Sequence, residues 1–512
     1  MSNKILVWVD VGLIQFGIAK YLKKIYDCEL FAIYDFNHHI KKSFLNQKLI
    51  DFKKEWYYWD HVLNIKQKPD VEYLKSFEQK YGINLWSIAY TERIFYTAKP
   101  IEEPHRFYNF SRDEVLKILE LECKFFENVL ESSEPNFLMI KVTDFHRSHL
   151  LERMCRSKGI KVLMLETSRL GYRSTISEEA NEIDYFESMQ STNDKITFSE
   201  LRENIKKYDR YKQAKSLRSG GFNFPMWEKI KSSLYWMINT FDKEYRMGYD
   251  HFGMTRFNVI TDRLSAAIKR SYRSSYIDSA LARKVKNEKF VYYPLTVEPE
   301  RTLSISAPFY SNQLEIIRNV ARSIPVDYKL YVKEHMAMKY RHWRPISYYK
   351  TIMDLPNVTM IHPSLDNVEL IKNCSIVFVI TGTAGLEAAY YGKPSIIFGH
   401  TSYDSLPSVH KIENLEDLPK IIRTCLDEKV NPSDVASLVK IIENVSFDFD
   451  IYEMNNKIED RFHTGGFLIS NKMPMDFLDS FLEENKTTFE MLANEHVKKI
   501  KQHDIYKNKQ NV

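Results

Sequence analysis

The residues of this 512-residue chain best suited to chemistry fall into two groups. The first is the turn Thr381-Gly382-Thr383-Ala384-Gly385, with Glu387 just beyond it. Two glycines that tolerate positive φ and three small side chains let backbone N–H groups approach a ligand closely, and Leu386-Glu387-Ala388-Ala389 then starts a helix. A helix N-terminus carries about half a positive charge, which suits a phosphate, and Glu387 stands where it could accept hydrogen bonds from a ribose diol. Such a turn can also exist only to let helix and strand pack closely. Glu298, Glu300, Arg301, Lys333 and His335 follow other strands of the same half, so cations and hydrogen-bonding groups would converge where the anion cradle opens. That convergence points to a nucleotide or nucleotide-sugar site. The second group is Asp144, His146, Glu166 and Arg169, among which Asp144 and Glu166 are the candidate general bases. Asp144 and Ser168 could equally cap the following turns, and His146 reads as a surface histidine.

The elements that must position these groups follow from hydrophobic pattern. Ile376 to Ile380 is a continuous apolar run, as expected of a parallel strand covered on both faces. Gly392 should stop the helix after the turn, and Ser395 to Phe398 returns as a strand. Phe290 to Leu295, Tyr328 to Val332 and Val358 to Ile361 are further strands, with a helix expected over Asn312 to Ser323. In the amino-terminal half, Lys4 to Asp10 and Glu29 to Asp35 flank a helix over Ile14 to Tyr26, the start of a doubly wound sheet. The Val11-Gly12 and Gly17 spacing lacks a third glycine and is poor support for dinucleotide binding. Lys41 to Lys68 is undecided between helix and loop. Asp70 to Tyr81 reads as a helix ended by Gly82, and Ser111 opens a long amphipathic helix with Glu114 three residues on. Two β-α units, Phe137 to Ser157 and Lys161 onward, then bring Asp144, His146, Glu166 and Arg169 to one sheet edge.

Composition sets the frame. The chain is 44% hydrophobic and 28% charged, ordinary for a globular protein, and long enough for two cores. Five scattered cysteines without a CxxC pair indicate a reducing compartment, with neither a zinc site nor a disulfide framework. No apolar run is long enough for a membrane span, and Ile5 to Ala19 reads as strand plus helix, not as a signal peptide. The net charge of +5 is uneven: Lys206 to Lys289 holds 19 Lys and Arg against 8 Asp and Glu, or +11, which leaves −6 elsewhere. Helices are expected over Trp227 to Phe241 and Thr255 to Arg283, broken from what precedes at Ser219-Gly220-Gly221 and Pro225. A basic, aromatic helical stretch could meet an anionic membrane surface, or be the solvated face of an ordinary insertion. Nucleic acid is not expected, since no recognised module accompanies the charge. Beyond Ile412 the chain reads as helical, with a terminal helix over Met473 to Ile500 crossing back onto the first domain and Lys507 to Val512 without order.

The ordered series Tyr293-Pro294-Leu295, Glu298-Pro299-Glu300-Arg301, Val332-Lys333-Glu334-His335, Thr381-Gly382-Thr383-Ala384-Gly385-Leu386-Glu387-Ala388 and Gly392-Lys393-Pro394 resembles capsule polysaccharide biosynthesis proteins, a GT-B-like group. Some relatives are transferases that use CMP-activated 3-deoxy-octulosonate. Members commonly carry proline after the Lys-Glu-His triplet, where this chain has Met336. More distantly, Val142-Thr143-Asp144, Gly159-Ile160-Lys161-Val162 and Glu166-Thr167-Ser168-Arg169 resemble non-hydrolysing UDP-N-acetylglucosamine 2-epimerases, also GT-B folds, in which acidic groups at these two positions serve acid–base chemistry. The epimerase doubled glutamate is not matched, since Ala388 follows Glu387. The resemblance implies an α/β, GT-B-like architecture of two Rossmann-like doubly wound parallel-sheet domains. Residues 1–205 would form an acceptor domain, 206–289 a basic helical insertion, 290–448 a nucleotide-sugar domain and 449–512 a helical tail. It implies a metal-independent, cofactor-free glycosyltransferase acting in the cytoplasm or on the inner face of the cell membrane, with a nucleotide-sugar donor and a glycan or glycolipid acceptor. A nucleotide-sugar epimerase and a non-catalytic scaffold of a polysaccharide assembly complex are the alternatives.

Overall fold

The computed structural model of the protein describes residues 2–36, 38–92, 95, 108–186, 195–208, 226–239, 241, 255–298, 300–341, 343–462 and 473–510. The expected break at 219–225 and Pro299 lie outside those residues.

The amino-terminal sheet contains β1 (Asn3–Val9), β2 (Cys28–Tyr34), β3 (Lys54–Tyr57), β4 (Phe137–Lys141), β5 (Lys161–Thr167) and β6 (Ser174–Ser177). The second sheet contains β7 (Phe290–Pro294), β8 (Lys329–Lys333), β9 (Val358–Ile361), β10 (Val377–Val379), β11 (Ser395–Ile397) and β12 (Val409–Lys411), and β13 (Ser446–Phe447) returns to the first. The first sheet has the order β13-β6-β5-β4-β1-β2-β3, the second β12-β11-β10-β7-β8-β9. Every pairing in the second sheet is parallel; in the first, β6 runs antiparallel to both β5 and β13. These are two Rossmann-like units. The central strand β10 is buried throughout and β1 is buried from Ile5 to Val9, as their unbroken apolar runs require.

In such sheets the strand order reverses beside the first strand, and the crevice at that switch point is where ligands bind. Here the switch points lie between β1 and β4 and between β7 and β10. They select the loops that hold Asp10 and Asp144 in one unit and residues 295–301 and 380–385 in the other.

Local signals placed several elements. Asp70 accepts a hydrogen bond from Tyr73 N and Gly82 takes a left-handed conformation at φ 64°, bounding the Val71–Tyr81 helix. Ser111 and Glu114 form a reciprocal capping box on the Arg112–Ser133 helix. The undecided Lys41 to Lys68 stretch resolves into the end of a short helix, strand β3 and a 3-10 turn.

After β13 the chain packs against the first unit. The Lys486–Gln510 helix lies on the Ile14–Ile25 helix, where a Cβ on Gly17 would come 2.3 Å from the Phe489 ring. Gly17 therefore permits close helix contact, which accounts for it better than a dinucleotide fingerprint does. The expected terminal helix is two, Met475–Glu484 and Lys486–Gln510, and the second extends into the tail expected to lack order; residues 511 and 512 lie outside the described ones. Among the described residues no helix is long and apolar enough to cross a membrane. All five cysteines are buried and unpaired.

Candidate active site between the two sheets

Lys333 is the last residue of β8 and is buried. Its Nζ donates to Asn367 Oδ1 at 2.5 Å, and the Tyr292 hydroxyl donates to the same oxygen at 3.0 Å. Burial pushes the ammonium down to about 8, although Asp366 and Glu387 pull it upward. Glu387 accepts from Thr383 Oγ1 at 2.9 Å. Lys333, Asn367, Thr383 and Glu387 thus form one polar edge at the carboxyl ends of β8 and β10. His335 stands exposed at its corner, where Nδ1 accepts from Ala337 N at 3.2 Å.

The Thr381-Gly382-Thr383-Ala384-Gly385 turn differs from its expected form. Neither glycine has positive φ, and the helix that follows, Ala384–Tyr390, is seven residues long. Gly385 is required by space instead, since a Cβ there would lie 2.7 Å from the Tyr403 hydroxyl, which donates to the Gly382 carbonyl. At Gly382 an added Cβ would touch only Val379, at 3.8 Å. Thr381 is buried, and its Oγ1 donates to Thr302 O at 3.1 Å, tying this turn to the loop after β7.

Glu298 lies in the interior of that loop. One of its oxygens pairs with Arg344 Nη1 and the other accepts from Gln313 Nε2. Arg344 is fully buried; its Nε donates to Glu334 Oε2 at 2.9 Å, Nη2 donates to Thr296 O at 2.6 Å, and Tyr349 Oη donates to Glu334 Oε2 at 2.8 Å. Both oxygens of Glu298 are thereby occupied by protein. Its place is in the scaffold that holds the loops after β7 and β8 together, with Arg344 as its centre. Glu300 instead caps the short Arg301–Ser304 helix through its carbonyl, and its carboxylate accepts from Thr302 Oγ1 at 3.2 Å.

Arg301 joins the two units. Its Nε donates to Thr143 O, at the end of β4, at 2.6 Å, and its Nη1 donates to Ser306 Oγ at 3.3 Å. Burial lowers the pKa of this guanidinium, opposed by the charges of Glu166 and Asp144. A second tie runs from Arg169 Nη2 to Asn181 Oδ1 at 2.6 Å and from Asn181 Nδ2 to Ser306 Oγ at 3.2 Å. The switch-point loops of the two sheets therefore meet.

The two acidic candidates occupy different settings. Glu166 is buried, accepts from Ser177 Oγ at 3.0 Å and from Asn181 N at 3.0 Å, and has its carboxyl pushed upward by burial, against the pull of Arg301 and Arg169. Asp144 keeps 38% of its side chain exposed, with Lys141 Nζ at 3.9 Å. Lys141 itself sits 2.6 Å from Asp10, whose other oxygen accepts from Gly12 N at 2.9 Å.

His146 is not at the surface. The helix begins at His146 itself and turns the imidazole inward between Glu92 at 2.6 Å and Glu122 at 2.8 Å. Burial opposes its charge, but the two carboxylates raise it to about 9. Elsewhere His410, Cys425 and Glu428 bring potential metal-ligating atoms within 4.8 Å of one another. His410 is already paired to Glu428 at 2.7 Å, and burial lifts the Cys425 thiol to about 12, which opposes the thiolate a metal needs.

Sequence reasoning missed Arg344, Asn367 and Tyr403. Asn367 follows the helix-capping Asp366 and could have been found as a polar group near a strand end; Arg344 and Tyr403 carry no local signal.

Comparison with known proteins adds one family. No curated protein matches the chain. Among solved structures, the Thermosulfurimonas dismutans KpsC, a beta Kdo 2,7 transferase, is similar at 16% identity and TM-score 0.30, covering 70% of this chain and 87% of that one. The UDP-GlcNAc 2-epimerase from Methanocaldococcus jannaschii is similar at 12% identity and TM-score 0.23, covering 87% and 100%. The Candida albicans trehalose-6-phosphate phosphatase N-terminal domain is similar at 10% identity and TM-score 0.29, covering 90% and 96%. Superpositions this loose carry no argument about the site. The family model described as capsule polysaccharide biosynthesis protein matches residues 220–409, a span of this chain that includes Lys333, Thr381 and Glu387.

Proposed function

We propose that the protein is a glycosyltransferase of surface or capsular polysaccharide synthesis, with a nucleotide-sugar donor held by the second unit and a glycan or glycolipid acceptor held by the first. The observation that carries this reading is the Arg301 to Thr143 contact, which joins the switch-point crevice of one sheet to that of the other. Lys333, His335 and the 381–385 turn would hold the phosphate or sugar carboxylate, and Glu387 the ribose. Lys333 and fixed backbone N–H groups would offset the charge that develops on the departing nucleotide, so the step does not require a metal. Glu298 would act through Arg344 by fixing the loop, and Glu300 and Arg301 would line the junction.

Of the two carboxylates, Asp144 is the better base for the acceptor hydroxyl. It is exposed toward solvent, whereas Glu166 is buried with its oxygens engaged by Ser177 and Asn181. Glu166 would instead be a positioning residue, balancing Arg301 and Arg169. Displacement with inversion needs one base, and Asp144 supplies it.

A thermal-shift screen against CMP, UDP, GDP, dTDP and ADP, with Glu387→Ala as control, tests the donor site. A nucleotide at 100 times its Kd adds about 2.7 kcal/mol. A shift with one nucleotide, lost in the variant, supports the assignment; no shift with any of them refutes it and favours the scaffold reading. Product formed from a nucleotide sugar without acceptor would replace transfer by epimerisation.

A further inference from the structure

Among the described residues, two helices outside the cleft, Met226–Asn239 and Arg256–Ala280, carry exposed apolar stripes. On the first, Trp227, Ile230, Leu234 and Ile238 are exposed, and Phe241 follows at 75% exposure. On the second, Phe257, Ile260, Leu264, Ile268 and Tyr272 are exposed, Phe257 at 75% and Ile268 at 68%. Steps of three and four residues place each set within about a third of its helix circumference. Soluble proteins seldom leave apolar stripes of this extent to water.

The second helix has two opposed faces. Ala266, Arg273 and Ile277 are buried, about half a turn from the exposed stripe by helical spacing. Arg273 Nη1 donates to Trp343 O at 3.1 Å, and Trp343 Nε1 donates to Ser274 Oγ at 2.8 Å. Beyond the helix, Ala282 N donates to Met360 O at 2.9 Å, fixing the chain at the β9 edge of the second sheet. The helix is therefore anchored by one face while the other is presented outward. At its start the Arg256 guanidinium lies 3.6 Å over the Phe241 ring, linking the ends of the two stripes.

Charge selects the occupant. The stretch from Lys206 to Lys289 carries +11, and Lys231, Lys284 and Lys286 are exposed within it. A second copy of the chain would set two such segments against each other with like charges. Aromatic and aliphatic side chains on a helix face, flanked by Lys and Arg, are the pattern of a helix that lies in the interface of an anionic bilayer. We infer that these two helices form a docking surface for an anionic phospholipid bilayer, with the stripes seated among the acyl chains and the cations at the headgroups. It deepens the proposed function, resting on that reading only for the role of the contact, which would hold the cleft beside a lipid-linked acceptor.

The test is co-sedimentation of the full chain with vesicles of phosphatidylglycerol and phosphatidylcholine in equal parts, compared with phosphatidylcholine alone. Binding to the anionic vesicles should exceed binding to the neutral ones by about tenfold or more at low salt and fall by a similar factor in 0.5 M NaCl. Leu264→Glu/Ile268→Glu, both at exposed positions, should abolish it by about tenfold or more while leaving the melting temperature unchanged. Light scattering of the same samples without lipid keeps the alternatives apart. Absent vesicle binding, equal binding by the variant, or a dimer that the variant dissolves would each overturn the inference. The nucleotide screen is run without vesicles, so a failed donor site and a failed membrane surface are read separately.

Discussion

The lowered pKa of Lys333 gives the proposed donor site a measurable proton linkage. Burial holds the free ammonium at about 8 despite Asp366 and Glu387, and its Nζ has the neutral Asn367 amide oxygen as its hydrogen-bond acceptor. A phosphate or carboxylate placed against it would favour the charged form and return the pKa toward its ordinary value of about 10.4. Binding then takes up a proton wherever the free lysine is neutral and the bound one charged, the window from about 8 to about 10. At pH 7.5 about three-quarters of the free protein would hold the proton, and at pH 9 about a tenth, so affinity should fall by about eightfold between them, or about 1.2 kcal/mol. Calorimetric titration with the nucleotide that scores in the thermal screen, at pH 8.5 in two buffers of different ionisation enthalpy, should report uptake of about 0.75 proton. Lys333→Arg should bind with no pH dependence across the same window, because arginine stays charged. Flat affinity and no proton uptake in the unmodified protein would remove Lys333 from the anion contact. The sign for folding is the reverse: a lysine with a lowered folded-state pKa costs stability below about 8, and the cost fades as pH rises toward about 10.4.

Much of the scaffold was legible because its signals are local. Parallel strands buried on both faces need unbroken apolar runs, and Leu6 to Val9 and Val377 to Val379 supply them. Caps such as Asp70 with Gly82, and Ser111 with Glu114, act within one turn of the chain. The strands at the rim were not legible: β6 reads Ser-Thr-Ile-Ser and β13 is two residues long, so each exists only through its partner. The same limit governs the site. The strand ends that carry Lys333 and Glu387 follow from β-α order, but the engagement of Glu298 does not, because its partner Arg344 is 46 residues away. His146 looked like a surface residue since Glu92 and Glu122, which charge and bury it, lie 54 and 24 residues distant. Gly385 looked like a conformational glycine, whereas the Tyr403 ring that demands it comes from another loop.

Arg344→Met should destabilise the second unit by about 3–5 kcal/mol in urea unfolding, because it leaves Glu298 and Glu334 buried without their cation. His146, raised to about 9, contributes stability that is whole below pH 6.5 and lost as pH rises through about 9; His146→Gln should flatten the fall in melting temperature across that range. Gly17→Leu should drive the Phe489 ring off the Ile14–Ile25 helix, cost about 1–3 kcal/mol, and expose the Lys486–Gln510 helix to proteolysis. The two carboxylates should separate by what they disturb. Asp144→Asn should lower kcat of sugar transfer by about 10²–10⁴ with nucleotide affinity and melting temperature unchanged, since the side chain is exposed and lightly paired. Glu166→Gln removes the charge that Arg301 balances across the junction, so it should move melting temperature and KM together with kcat. Equal loss of kcat alone in both variants would mean that Glu166 meets the substrate itself, and the roles given to the two groups would have to be exchanged.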